Sequence, residues 1–248
     1  MGFLNIFKKK PEEVEELELG WLEVDMHSHL IPGIDDGSKT MEESIELIRR
    51  LSDYGLRKLI TTPHIMSEYY RNTPEIISMG LEDLRKAVKN EGISIEIDAA
   101  AEYYMDEIFL EKVKSGEKML TFGDNYILVE TGFINRPQML LEIIFQLEMA
   151  GYKPILAHPE RYQYLISDKQ LLQDLTDRHI LFQVNLLSLT GFYSKPVKDF
   201  GEMLIERRLV RFFGTDCHNP RYLDMLEGLP KAKIYNTIKE MKVLNSSL

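Results

Sequence analysis

A single cysteine, Cys217, stands among 248 residues, so no intramolecular disulfide can form and a reducing compartment suits the chain. Cysteine clusters are missing with it, which argues against an iron–sulfur centre or a structural zinc knot. No run of about 18 apolar residues occurs, so no transmembrane segment is expected. Basic residues are outnumbered, 30 Lys and Arg against 40 Asp and Glu, for a net charge of −10. That deficit disfavours a nucleic-acid partner, whose phosphates call for a broad basic surface. A small anionic ligand is still compatible, because divalent cations in a pocket reverse the local sign of the field. The amino end carries Lys8, Lys9 and Lys10 after a short apolar stretch, the reverse of a secretory signal, so a cytoplasmic protein is expected.

No repeat or low-complexity linker interrupts the chain from Trp21 onward, and the length suits one catalytic domain over 21–248. The charged extension over 1–20 is read as loosely docked, with Phe3, Leu4, Ile6 and Phe7 beside the lysines as a minority candidate for a membrane or partner contact. Within the domain, strand and helix signals alternate. Short apolar, β-branched runs place strands at 22–26, 57–62, 93–100, 126–129, 154–157, 181–184 and 209–214. Thr40-Met-Glu-Glu43 is a capping box opening a helix that Gly55 stops, and Pro74 opens a second helix to about Asn90. Further helices are expected at 137–150, 170–176 and 197–207. Seven βα units of this kind predict an α/β fold, a distorted (β/α)7 barrel with its site at the carboxyl ends of the strands.

The polar residues fall at those ends. His27 and His29 close the first strand, His64 the second, Glu102 the third, Glu130 the fourth, His158 the fifth, and Asp216 with His218 the seventh. Residues i and i+2 of an extended chain point to one face, so His27 with His29, and Asp216 with His218, can each reach one ion or two adjacent ones. Counting Asp36 in the loop after the first strand, four carboxylates and five histidines exceed the needs of a single ion. Two or three divalent cations are expected, and imidazole with carboxylate suits Mn, Fe or Zn.

The motifs His27-Ser-His29, Asp35-Asp36-Gly37, Thr62-Pro-His64, Ala101-Glu102-Tyr-Tyr104, Leu128-Val-Glu130, Ala157-His-Pro-Glu-Arg161-Tyr162 and Asp216-Cys-His218-Asn219 together resemble the polymerase and histidinol phosphatase (PHP) superfamily. The resemblance runs from Val24 to about Arg221 and is strongest to the bacterial capsule-type tyrosine-protein phosphatases. It implies a distorted (β/α)7 barrel with three metals, usually manganese. It also implies one ion on His27, His29, Glu102 and Asp216, a second on Glu102, Glu130 and His158 with Glu102 bridging, and a third on Asp36, His64 and His218. Catalytic roles fall to Glu102, His158 and Arg161, with phosphate binding by Arg161 and by Arg221, although Arg221 lies closer to the Asp-x-His motif than the pattern expects. The implied activity is hydrolysis of phosphotyrosine by metal-activated hydroxide. The implied partner is a phosphotyrosine protein, a bacterial tyrosine kinase tail in capsule or exopolysaccharide export, and an oligomer is compatible with the sequence. A histidinol-phosphate phosphatase of the same superfamily and a catalytically silent PHP binding module are the alternatives.

Several residues have plainer readings. Cysteine-dependent tyrosine phosphatases place arginine six positions after the nucleophile; position 223 is Leu, so Cys217 is expected to be a small buried hydrophobe. His179 precedes its strand and belongs at the far end of the barrel, and Glu160 is a candidate salt-bridge partner for Arg161. Of Tyr69, Tyr70, Tyr103, Tyr104, Phe133, Tyr162, Phe192 and Tyr193, more than half are expected in packing, the others around an aromatic substrate.

Overall fold

The computed structural model describes residues 15–248. Every regular strand pairing among them is parallel. One sheet has the order β1 (Val24–Asp25), β2 (Lys58–Thr61), β4 (Glu96–Ala99). The other has the order β3 (His64–Ile65), β5 (Glu102–Tyr104), β6 (Tyr126–Glu130), β7 (Lys153–Ala157), β8 (Leu181–Asn185), β9 (Val210–Gly214). The seven expected strands account for all nine, because β2 with β3 and β4 with β5 are two strands that each break once. Pro63 lacks the N–H that would continue the ladder across the first break. Pairing resumes past it through Ala100 N to Thr61 O (2.9 Å) and Glu102 N to Pro63 O (3.1 Å). The first strand is shorter than expected because the backbone turns just before it, with Leu22 N donating to Leu19 O and Glu23 at φ +63°.

The last and first strands meet without a regular ladder. At the carboxyl end, Asp216 N donates to His27 O (2.8 Å) and His29 N to Cys217 O (2.9 Å). At the other end, Asn245 makes the junction with its side chain, donating to Val24 O (2.9 Å) and Phe213 O (2.7 Å) and accepting from Phe213 N (3.1 Å). Replacing Asn245 by Ala would leave these buried backbone groups short of partners. The expected loss is about 3 kcal/mol, read as a fall in Tm of about 6–12 °C.

The helices are α1 (Met41–Asp53), α2 (Pro74–Asn90), α3 (Glu107–Ser115), α4 (Leu140–Met149), α5 (Gln163–Ser167), α6 (Lys169–Asp177), α7 (Lys195–Glu206), α8 (Pro220–Leu226) and α9 (Tyr235–Lys239). Thr40, Thr73, Asp106, Asp168 and Ser194 cap α1, α2, α3, α6 and α7 with their side chains. Helix α4 begins later than expected because the chain after Pro137 first makes a turn, Leu140 N to Pro137 O. Of the expected extension, residues 15–20 are docked: Leu19 is fully buried and Tyr235 Oη donates to Glu18 O (2.9 Å). Phe3, Leu4, Ile6, Phe7 and the lysines lie outside the described residues.

Strand alternation separates two apolar clusters. Val24, Ile60, Leu128, Ile155 and Phe212 belong to a small inner cluster, while Leu59, Ile127, Val129, Leu156 and Phe213 join the large cluster under the helices. Followed toward the carboxyl ends, the inner positions turn polar: Leu128 leads to Glu130, and Phe212 leads through Gly214 to Asp216. The apolar plug therefore ends where the polar site begins.

Candidate metal centre

Glu102 is fully buried at the centre of the polar end. Its Oε2 lies 3.2 Å from His27 Nε2, 3.5 Å from His29 Nε2 and 3.1 Å from His64 Nδ1, and its Oε1 lies 3.0 Å from His158 Nε2. Asp216 Oδ1 is 3.3 Å from His27 Nε2 and 3.4 Å from His29 Nε2. Glu130 stands 2.9 Å from His64 Nδ1 and 3.8 Å from His158 Nε2. Asp36 Oδ1 is 3.3 Å from His64 Nε2 and 3.6 Å from His218 Nε2. All nine residues expected as ligands are thus brought together. His64 spans the arrangement, facing Glu102 and Glu130 with one ring nitrogen and Asp36 with the other.

The geometry fits cations better than a network of hydrogen bonds. His27 Nε2, His29 Nε2, His64 Nδ1 and Glu102 Oε2 are buried atoms without a hydrogen-bond partner, although their neighbours are close. Four clusters of three or four ligand atoms lie within 4.8 Å of one another: His29, Asp36, His64, His218; His27, His29, Asp216; His27, Glu102, His158; and His64, Glu102, Glu130. A buried polar atom left unpaired is costly, and a shared cation would satisfy several at once.

The rear nitrogens of three histidines are already engaged. His27 Nδ1 donates to Gln183 Oε1 (2.8 Å), His29 Nδ1 to Asp35 Oδ2 (2.7 Å), and His218 Nδ1 to Asp216 O (2.8 Å). Each contact fixes the tautomer and leaves Nε2 facing inward. Gln183 passes the order on, its amide donating to Asn185 Oδ1 (2.8 Å), and Asn185 Nδ2 donates to Asp216 Oδ2 (2.6 Å). Asp35, Gln183 and Asn185 were not among the expected site residues. The signal for the last two was present in Leu181-Phe-Gln-Val-Asn185, where polar groups occupy i and i+2 of the one strand without an ionisable ligand. Gly37 of the Asp35-Asp36-Gly37 motif is required for packing, since a Cβ there would stand 2.3 Å from His29 O. His158 (φ +32°) and Asp216 (φ +52°) both hold left-handed backbone, strain of a kind that gathers at functional sites.

Burial opposes a charge on His27, but the Glu102 and Asp216 carboxylates override it and raise its pKa from 6.5 to about 9. Burial likewise opposes ionisation of Glu102 and Asp216, yet the surrounding histidines hold both well below the usual carboxylate range. A folded pKa above the unfolded one stabilises the metal-free protein below about pH 6.5, and that contribution disappears as pH rises through 9. A cation on Nε2 must displace this proton. Manganese affinity, measured by competition with a fluorescent chelator, should therefore rise by about tenfold per pH unit between 6.5 and 8.5. A flat profile would show that His27 carries no proton there.

Beside the cluster, the Arg161 guanidinium lies 4.2 Å from the Phe133 ring and 4.3 Å from the Tyr193 ring, and Nη1 donates to Asp216 Oδ2 (3.1 Å). The expected Glu160–Arg161 pair is not made. Glu160 is fully buried on the other side of the Pro159–Arg161 turn, where it accepts from Asn185 N (2.9 Å) and Ser188 Oγ (2.7 Å). A cleft of about 250 Å³ opens over the cluster, with Arg161, Tyr70, Tyr104, Phe133 and Tyr222 in its wall. Arg221 does not line that cleft; it is exposed, 5.8 Å from the Phe192 ring, and its neighbour Tyr222 faces the cleft instead. Tyr162 and Tyr103 are core residues, Tyr69 is exposed, and Cys217 is buried in the helix-side core. His179 follows α6, at the start of β8 and away from the cluster. A larger cavity of about 730 Å³ lies near Gly92 and Ile97, at the opposite ends of the strands, and contains none of the nine residues.

Residues 23–229 match the family described as capsular polysaccharide synthesis, CpsB/CapC. The chain belongs to the CpsB/CapC family. Similar CpsB/CapC relatives include the tyrosine-protein phosphatase YwqE of Bacillus subtilis (strain 168), 31% identical over 198 residues that cover 79% of this chain and 77% of YwqE. The putative tyrosine-protein phosphatase CapC of Staphylococcus aureus is 26% identical over 229 residues, 91% of this chain and 90% of CapC. A crystal structure from work on YwqE and on CpsB from Streptococcus pneumoniae, described as unique metal-dependent tyrosine phosphatases, superposes with a TM-score of 0.78 at 28% identity, covering 90% of each chain. An amidohydrolase from Mycoplasma synoviae shares the fold alone, with a TM-score of 0.54 at 13% identity over 95% of this chain and 89% of that one. The expected superfamily relationship, α/β fold and parallel strands all agree with these matches.

Proposed function

We propose that this CpsB/CapC protein is a metal-dependent protein-tyrosine phosphatase, a phosphoric monoester hydrolase. The observation that carries the reading is the convergence of unpartnered buried imidazole and carboxylate atoms beside Arg161, in a chain whose relatives are named tyrosine-protein phosphatases. The proposed ligands are His27, His29, Glu102 and Asp216 for one ion, Glu102, Glu130 and His158 for a second, and Asp36, His64 and His218 for the third, with manganese as the metal. Bound divalent cations supply a nucleophile at neutral pH and neutralise phosphate charge.

The chain's own residues do the remainder. Arg161 offers a planar pair of N–H donors to two phosphate oxygens, and the rings of Phe133 and Tyr193 hold that plane in place. Tyr70, Tyr104 and Phe133 line the cleft where a tyrosyl ring would enter. A phenolate leaving group, with a parent pKa of about 10, needs less protonation than an alkoxide, so no dedicated acid is assigned. The proposed physiological substrate is the phosphorylated tail of a tyrosine kinase in capsule or exopolysaccharide export, and the proposed location is the cytoplasm; among the described residues no helix is long and apolar enough to cross a membrane.

Manganese-loaded protein offered a phosphotyrosine peptide, a phosphoserine peptide and histidinol phosphate separates the alternatives. Turnover of the phosphotyrosine peptide above the other two is expected. Preference for histidinol phosphate would overturn the substrate class, and binding of a phosphopeptide without turnover would favour a silent module.

A further inference from the structure

A phosphotyrosine in the cleft leaves the polypeptide on either side of it outside, and the surface next to the cleft is shaped to receive that chain. A groove of about 380 Å³ runs between the loop after β3 and helix α3, and it shares Met66 and Tyr104 with the cleft over the metal cluster. It is therefore continuous with the place where the phosphate would sit. Its floor is apolar, formed by Ile65, Tyr103 and Phe109, with half-exposed Ile108 on its rim.

The charge within the groove is uneven in a useful way. Asp106 is already committed, since its carboxylate caps α3 by accepting from Phe109 N (2.7 Å) and also accepts from Ser67 Oγ. Lys112 is paired with Glu117 at 3.1 Å. Arg71 donates through Nε to Ser67 O (2.8 Å) and has no carboxylate at ion-pair distance among the described residues. Glu68 lines a neighbouring hollow and not this groove. In a protein of net charge −10, the surface continuous with the phosphate cleft thus presents an uncompensated guanidinium over an apolar floor.

We infer that this groove binds the substrate polypeptide flanking the phosphotyrosine, with an acidic side chain seated on Arg71. The inference rests on the phosphatase reading and deepens it, making the loop after β3 and α3 the determinants of protein over small-molecule substrates. An exposed charge pair of this kind is worth up to about fivefold in affinity.

The test compares two phosphotyrosine peptides, one flanked by three aspartates on each side and one by three lysines, with p-nitrophenyl phosphate as a substrate that does not reach the groove. Wild-type protein should prefer the acidic peptide in kcat/KM by about fivefold, through KM. Arg71→Glu should erase or invert that preference, Ile108→Glu should raise KM for the acidic peptide, and both should keep p-nitrophenyl phosphate turnover within about twofold of wild type. Equal use of the two peptides by wild type and variants, with turnover intact, would overturn the groove and leave the phosphatase reading standing. Loss of turnover on every phosphate by wild-type protein would instead sink the phosphatase reading. Fluorescence polarisation of the same labelled peptides would still decide the groove, by whether Arg71→Glu and Ile108→Glu weaken binding of the acidic one.

Discussion

Glu102→Gln is expected to lower phosphotyrosine turnover by about 10³-fold or more, the scale seen when a preorganised charge-stabilising group is removed. No other carboxylate in the site meets four histidines, and none is more deeply buried. The amide keeps the volume and removes the charge, so the fold is not asked to fill a void. Two of the proposed cation sites share this residue, and the variant should therefore bind fewer metal equivalents than wild type, measured by elemental analysis after desalting. Full metal content with full activity would show that Glu102 is only a hydrogen-bonding core residue.

Arg161→Ala should cost about 10² to 10³ in kcat/KM while leaving metal content intact, because the guanidinium faces the cleft and is not among the clustered ligand atoms. Arg161→Lys should recover little of this. A lysine cannot present two parallel donors, and it would lie between Phe133 and Tyr193 as a point charge where a planar cation now stacks. The measurement is steady-state kinetics at matched metal loading. A near-normal lysine variant would mean that charge alone, and not the held plane, is what the phosphate reads.

Both expectations rest on residues visible in the sequence, and the reason is physical. A strand end is a local feature: an apolar run of the right length followed by His or Glu places its side chain on the rim without reference to the remainder of the chain, which is why His64, Glu102, Glu130 and His158 could be placed from their runs alone. The contacts that orient those ligands are not local. Gln183 meets His27 across 156 positions and Asn185 meets Asp216 across 31, pairings that no spacing rule announces. Glu160 shows the same limit in the other direction, since adjacency to Arg161 suggested a pair that the turn at Pro159 prevents. The breaks at Thr62-Pro63 and Ala100-Ala101 were equally hidden, because each half reads as part of one continuous apolar run. Helix α3 was legible and passed over: Asp106 before an amphipathic stretch and Gly116 after it are ordinary start and stop signals.

The central claim is that hydrolysis of phosphotyrosine depends on cations held by this cluster. Its most direct test is phosphate release from a phosphotyrosine peptide by chelator-stripped protein, before and after manganese is returned. The expected result is negligible release from the stripped protein and recovery with manganese. Undiminished release after verified removal of the metal would contradict the account.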